Sequence, residues 1–326
     1  MRIIECVPNI SEGRNKKIID AIVDMAAKTG VKILDVDMGY DANRTVLTMA
    51  GTPEQIIKAA YSVIYAAHKL IDMTQHKGTH PRLGAVDVCP FIPLEGATMS
   101  DCIKIARHLG QKVAKNFGIP VYLYENAASN PKRRDLAYIR KGQYESLEQK
   151  LKELHPDFGP VEMNDVVRHS GAITIGARKL LLAYNISLST DDVKHASYIA
   201  KRIRESGDKH KLKGVKAIGW FLPQYKFAQV SCNITDFNIT PLHKVFDTCK
   251  EEAQDLGLEI EESEIVGLIP RDAIMAAADF YSSSYCGGLP EEEMLQIAIK
   301  VMRLDMRKNF DPAKKILENR LKNPIK

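Results

Sequence analysis

With 326 residues, 45% of them apolar and 27% charged, the chain has the composition of an ordinary globular protein of two domains or one large one. No apolar run approaches the roughly 18 residues of a membrane span, and residues 1–8 are too short and too acidic for a secretory signal, so a cytoplasmic chain is expected. The net charge of +5 resides in the first part, where residues 1–180 carry 25 Lys and Arg against 20 Asp and Glu; this bias suits a small anionic ligand and is too weak to argue for nucleic acid.

Residues 1–8 read as a first strand. Ser11 is a candidate N-cap for a helix over residues 15–28, whose apolar positions Ile18, Ile19, Ile22, Val23 and Ala26 recur at helical spacing, with Gly30 ending it. Strands are predicted at 31–37 and 44–50, joined by a turn at 38–43. Thr52-Pro53-Glu54 opens a helix that runs to about Leu70, and a strand follows from about Ala85 to Ile92. This β-α-β-β-α-β order is the ferredoxin-like unit. Ser100-Asp101 caps an added helix ended by Gly118; residues 120–124 add a strand; residues 132–154 read as helix with breaks. Residues 155–171, with Pro156, Gly159, Pro160 and Gly171, read as a long loop, and such loops in compact proteins are usually functional or disordered.

The order then repeats: strand 183–188, helix from Thr190-Asp191-Asp192 to about Glu205, strands 214–221 and 227–234, a helix opened by Thr240-Pro241 and ended by Gly257, and a strand around 264–268. Helices at 271–281, 291–302 and 311–321 complete the chain, with a loop marked by residues 282–284 and 287–290. The expected fold is α+β, two ferredoxin-like (βαββαβ) subdomains packed side by side with extra C-terminal helices. Cys6, Cys89, Cys102, Cys232, Cys249 and Cys286 form no C-x-x-C pair and read as buried free thiols, so neither disulfides nor a metal site is expected.

Chemistry concentrates in His76-Lys77-Gly78-Thr79-His80-Pro81-Arg82-Leu83-Gly84 and the strand after it. Histidine moves protons near neutral pH, and a stiff turn at a strand end is a common place for it; the same residues also suit a solvated basic loop. If the 38–43 turn reaches this loop, His80, Asp37 and Arg44 make a base, an orienting carboxylate and an anion clamp; otherwise Asp37 and Arg44 are a surface ion pair. Asn9 and Ser11 at the first strand-to-helix connection are candidate ligand contacts, or an ordinary capped connection. Residues 171–178, Gly-Ala-Ile-Thr-Ile-Gly-Ala-Arg, lack the spacing of a dinucleotide fingerprint and suggest close backbone approach to a ligand or to the neighbouring domain.

Several stretches together resemble glutamate formiminotransferase, the transferase portion of the formiminotransferase-cyclodeaminase family: ECVPNISEGR (5–14), residues 34–37 with Asn43-Arg44-Thr45, HKGTHPRLGAVDVCPF (76–91), PVYLY (120–124), DFGP (157–160) and GARKLLLAYN (176–185). The likeness covers nearly the whole chain. It implies transfer of a formimino group from N-formimino-L-glutamate to N5 of tetrahydrofolate in histidine degradation, in two ferredoxin-like subdomains (1–179 and 180–326) with folate between them, and a homodimer. It places the catalytic histidine on His80. It places the folate-binding loop on Gly159, Pro160, Val161, Glu162, Met163, Asn164, Asp165, Val166, Val167, Arg168, His169, Ser170 and Gly171. That loop looks longer than the mammalian version and lacks its tryptophan. Lys77, Arg82 and Arg178 join Asn9 and Ser11 as candidates for the carboxylates of the donor and of folate polyglutamates. The family implies tetrahydrofolate as co-substrate, small-molecule partners only, no nucleic acid and no membrane.

The chemistry suits these residues. The protonated amidine carbon is electrophilic; the attacking amine must lose a proton and the departing glutamate nitrogen must gain one, and one histidine can do both in turn. A carboxylate such as Asp37 stabilises the amidinium. Alternatives on the same scaffold are formyl transfer from N-formylglutamate, cyclisation of 5-formyltetrahydrofolate, and folate binding without turnover. RNA binding would need exposed aromatics on the central strands, where Val86, Val88, Ile33 and Val36 dominate instead.

Overall fold

The computed structural model describes residues 2–283, 288–307 and 309–326. Its contacts separate into two compact units, one running to Lys179 and taking in Pro324–Lys326, the other Leu180–Asn323. Each has its own sheet and its own core, which makes the chain a two-unit α+β protein.

The first unit contains β1 (Ile4–Cys6), β2 (Asn9–Ile10), α1 (Lys16–Ala27), β3 (Lys32–Gly39), β4 (Arg44–Gly51), α2 (Pro53–Leu70), β5 (Val86–Pro93), α3 (Met99–Phe117), β6 (Val121–Glu125), α4 (Leu136–Arg140), α5 (Leu147–Glu153), α6 (Asp165–Ser170) and β7 (Ile173–Ala177). β1 and β2 act as one interrupted strand, since both pair antiparallel with β4 on one side and β5 on the other. β3 extends the sheet beyond β4, and β7 and then β6 extend it in parallel beyond β5.

The antiparallel order has a geometric consequence. The end of β2, the end of β3, the start of β4 and the start of β5 fall at one end of the sheet, where Ile10 is registered with Thr45 and Val86, and Gly39 with Arg44. β7 runs parallel to β5, so its start comes to the same place.

Helix ends follow side-chain chemistry. Thr52 and Gln55 form a capping box ahead of Pro53. Two caps differ from the sequence reading. Asn15, not Ser11, caps α1, because its carboxamide oxygen reaches the amides of Lys17 and Ile18, whereas the Ser11 hydroxyl donates to the Gly84 carbonyl at 2.7 Å. Thr98, not Ser100, caps α3, with Asp101 completing the box.

The segment read as a long loop contains α6. Asn164 accepts from the Val167 amide at 2.9 Å, Val167 and Ser170 bury three residues apart, and Gly171 at φ +69° ends the turn. Residues 173–177, part of the glycine-rich stretch 171–178, form a strand. Gly176 allows this, because a Cβ there would enter the Tyr124 ring.

The second unit contains β8 (Leu182–Leu188), α7 (Val193–Ile203), β9 (Val215–Leu222), β10 (Phe227–Ile234), α8 (Leu242–Asp255), β11 (Ile260–Val266), α9 (Arg271–Ser282), α10 (Glu291–Val301), α11 (Pro312–Lys315) and α12 (Leu317–Lys322). Its strands lie in the order β11-β8-β10-β9, all antiparallel. The tail read as one helix is two, broken at Ile316, whose extended backbone (φ −82°, ψ 124°) caps the second. Cys6, Cys89, Cys102, Cys232 and Cys249 are buried free thiols. Cys286, Ser284 and Gly287 lie outside the described residues.

Candidate functional site

The sheet end of the first unit gathers five segments. The 38–43 turn and the His76–Gly84 loop do meet. Asn43 joins them: its carboxamide accepts from the Gly13 amide and donates to the Lys77 carbonyl, both at 3.0 Å, while its own carbonyl faces His76 Nε2 at 2.9 Å. Asn43 does this in the left-handed region, at φ 45°, which asparagine tolerates better than most residues. Gly78 permits the approach, because a Cβ there would run into the Ala42 carbonyl oxygen. The Thr79 amide donates to Asp41 at 3.1 Å, and the Thr45 hydroxyl to the Glu12 carbonyl at 2.5 Å.

The other two segments close in from β7's side. Gly84 pairs with Gly171, the Ala85 amide donates to the Ser170 carbonyl at 2.8 Å and the Ala172 amide to the Leu83 carbonyl at 3.0 Å. Gly171 therefore serves backbone-to-backbone packing, and Gly176 packing against the Tyr124 ring, within this unit. The Tyr144 amide donates to the Arg82 carbonyl at 2.9 Å, and its hydroxyl to the Arg168 carbonyl at 2.5 Å. Residues 159–171 are thus tied directly to the histidine loop.

At the centre is a buried carboxylate that sequence reading did not single out. Asp87, fully inaccessible, accepts from Arg44 Nη1 at 2.6 Å, from Arg140 through Nε at 3.3 Å and through Nη2, and from the Leu83 amide at 3.0 Å. Burial pushes its carboxyl up, but Arg140 and Arg44 outweigh that and bring it down to about 2. Arg44 is 7% exposed, so the surface-pair reading fails. Its other partner is the Asn9 carboxamide oxygen, at 3.0 Å from Nε. Burial lowers its guanidinium to about 10, opposed by Asp87, which leaves it cationic at neutral pH. Asp37, half-buried, is registered with Val46, two residues from Arg44 along β4 and on the same sheet face.

His80 is half-buried beside this cluster. Its Nδ1 lies 2.7 Å from the Pro81 carbonyl oxygen, which only accepts, so Nδ1 carries the proton and Nε2 the lone pair of the neutral ring. Desolvation, then Arg44 and Arg140, hold its pKa well below the ordinary value, against Asp87 and the Pro81 carbonyl. A neutral imidazole with its lone pair on Nε2 can accept a proton at physiological pH.

The remaining candidates separate. Arg82, 6% exposed, commits all five N–H groups to protein: Nε to His76 Nδ1 at 3.1 Å, Nη1 to Gln143 at 3.2 Å and Glu145 at 2.7 Å, Nη2 to Glu145 at 2.6 Å and the His76 carbonyl at 3.3 Å. It holds the loop and is not placed to clamp a ligand. Ser11 is likewise buried and committed to Gly84. Asn9 spends its Nδ2 on the Val7 carbonyl at 2.9 Å. Lys77 is exposed, and Arg178 is half-buried with Nη1 on the Lys179 carbonyl at 2.9 Å. Within 159–171, Val167, Ser170 and Gly171 face the protein; Ser170 Oγ lies 2.5 Å from His68 Nδ1, and His169 approaches Asp72 at 3.7 Å. Gly159, at φ +96°, Glu162, Asn164, Asp165 and Arg168 are exposed, as are Val161 and Val166, and Pro160 and Met163 are half-buried. In the DFGP stretch Asp157 accepts from the Leu123 amide at 2.8 Å, from Arg133 at 2.7 Å and from Ser129, which fixes where this segment begins.

Asp87 had a signal in the sequence, since an ionisable residue inside a run of apolar strand residues must find buried partners. Arg140 had none; it is one cation among many in residues 132–154. No group of three or more His, Cys, Asp or Glu side chains suited to a metal ion occurs among the described residues, and no helix among them is long and apolar enough to cross a membrane.

A histidine loop, a buried carboxylate shared by two arginines and a glycine-shaped turn lie together at one sheet end of an α+β protein. Residues 3–178 match the family described as the formiminotransferase domain, N-terminal subdomain, and residues 183–322 that described as the formiminotransferase domain. The glutamate formimidoyltransferase of Streptococcus pyogenes serotype M1 is 38% identical over 323 residues, covering 98% of this chain and 99% of that protein. That of Thermoplasma acidophilum is 43% identical over 286 residues, covering 86% and 92%. The formimidoyltransferase-cyclodeaminase of Rattus norvegicus is 44% identical over 97% of this chain and 59% of its own length; this chain spans about three fifths of such relatives. The chain belongs to the formiminotransferase family.

Proposed function

We propose that this chain transfers the formimino group of N-formimino-L-glutamate to N5 of tetrahydrofolate, giving 5-formiminotetrahydrofolate and L-glutamate. The observation that carries the reading is His80, its Nδ1 held by the Pro81 carbonyl, on the loop beside the Arg44–Asp87–Arg140 cluster. His80 takes the proton that the attacking amine loses and returns it to the departing glutamate nitrogen. Asp37 stabilises the amidinium, Arg44 and the exposed Lys77 attract donor carboxylates, and the exposed part of residues 159–171 contributes to folate binding. A small polar co-substrate suits a site rich in cations and donors whose titratable groups have displaced pKa values. We read the protein as a cytoplasmic homodimer acting in histidine degradation, with each unit ferredoxin-like.

The test is a coupled assay with N-formimino-L-glutamate and tetrahydrofolate, read by acid conversion of the product to the methenyl form. Turnover that drops about 10²–10⁴-fold in His80→Ala, with tetrahydrofolate binding retained, is the expected result. Activity with N-formylglutamate in place of the formimino donor would move the reaction to formyl transfer. Full activity of the variant would remove His80 from the chemistry.

A further inference from the structure

Two arginines converge on one buried carboxylate, where one would neutralise it. Arg140 is 15% exposed in its side chain, Arg44 7% and Asp87 0%. A second cation at such a place costs desolvation that a simple ion pair avoids. Its placement is built into the fold. Ile139 is buried in the satellite core of Leu83, Tyr122, Tyr124 and Val167, and the chain just after Arg140 is gripped by Arg82 through Gln143 and Glu145. The segment is therefore fastened to the histidine loop from both sides, through Arg140 on Asp87 and Glu145 on Arg82.

We propose that Arg140 is a positioning residue: by sharing the Asp87 carboxylate with Arg44 it fixes that arginine and adds a second buried cation to the surroundings of His80. The proposal rests on the reading of His80 as the base. The charged and polar groups facing His80 include Arg44 from β4, Asp87 from β5, Arg140 from α4 and the Pro81 carbonyl of its own loop, with Asp37 on β3 on the Arg44 face of the sheet, His76 and Arg82 on the loop and Glu145 on Arg82. Arg44 and Asp87 alone make a neutral pair. Arg140 adds a further positive charge to that pair, and a cationic neighbour opposes protonation of the imidazole. His80 then stays neutral even where the solution would protonate an ordinary histidine.

The experiment is an NMR titration of the His80 Cε1–H resonance in the full chain, assigned by its loss in His80→Gln. The wild-type midpoint is expected below 6.5, the ordinary value. In Arg140→Gln it rises by about one pH unit, and in Arg140→Lys, which keeps the charge, it stays within a few tenths of wild type. The acid limb of kcat/KM follows the same order. An unmoved midpoint in a folded Arg140→Gln, or a lysine variant that moves as far as the glutamine variant, overturns the proposal. Should the glutamine variant not fold, a wild-type midpoint at or above 6.5 overturns it without any variant. The titration needs no turnover, so failure of formimino transfer would remove the proposed reaction and leave this result readable, while an unmoved midpoint with transfer intact would remove only the role of Arg140.

Discussion

Replacing Asp87 with asparagine keeps the side chain's size and one acceptor oxygen but leaves Arg44 and Arg140 buried without a counter-charge. The fall of the Asp87 carboxyl from 3.8 to about 2 is worth about 2 kcal/mol in favour of the ionised, folded state. Breaking a buried ion pair by removing one partner costs roughly 3–5 kcal/mol, because the remaining charge is uncompensated. Asp87→Asn should therefore destabilise the first unit by about 2–5 kcal/mol, which lowers its melting temperature by roughly 5–15 °C. The pH dependence has a defined sign. The folded pKa is depressed, so the contribution is fully present above about 3.8 and is lost as pH falls through about 2. Melts followed by circular dichroism from pH 8 downward should show a constant gap between wild type and variant down to about pH 5 and a narrowing gap below pH 4. A variant melting within 1 °C of wild type at pH 7 would refute the view that Asp87 compensates two buried guanidiniums.

Gly78→Ala should push the histidine loop off the Ala42 carbonyl and lower kcat by about tenfold or more; steady-state kinetics with unchanged rates would disprove that the close approach matters. Arg82→Lys loses the fork on Glu145 and should cost about 1–3 kcal/mol of stability, with donor KM nearly unchanged; a large rise in KM without a change in melting would return Arg82 to ligand binding. His76 has burial first, then Arg82 and Arg14, lowering its pKa against the Asn43 carbonyl and Glu12. Its neutral form contributes stability above pH 6.5 that is lost as pH falls from there to the folded value, so His76→Gln should flatten this part of the stability profile measured by urea denaturation.

How much of this was legible in the sequence follows from what each feature depends on. α1, α2 and α7 declare themselves through apolar spacing, α2 and α7 also through their caps, and the strand that carries Asp87 through its β-branched run. α6 escaped because six residues between glycines are too few to show a helical period; the Asn164 cap was its available mark. β7 escaped because a strand with glycine at Gly176 reads locally as a turn, and only packing against Tyr124 gives that glycine a use. The histidine loop was visible as a motif, with Gly78, Pro81 and Gly84 marking a shaped backbone.

The partners of that motif were another matter. Arg44 meets Asp87 across 43 residues of chain, and Arg140 meets it across 53. Ser11 and Arg82 had the right chemistry for a ligand, yet Gly84, His76 and Glu145 consume it. Local sequence determined most elements, their caps and the shape of the histidine loop, because these depend on neighbours within a turn or two of backbone. Which cations face a ligand, which are spent on the protein, and how far His80 is kept from protonation depend on desolvation and charge, which act through space. Only the tertiary structure, by bringing β4, β5 and α4 to one sheet end, decided them.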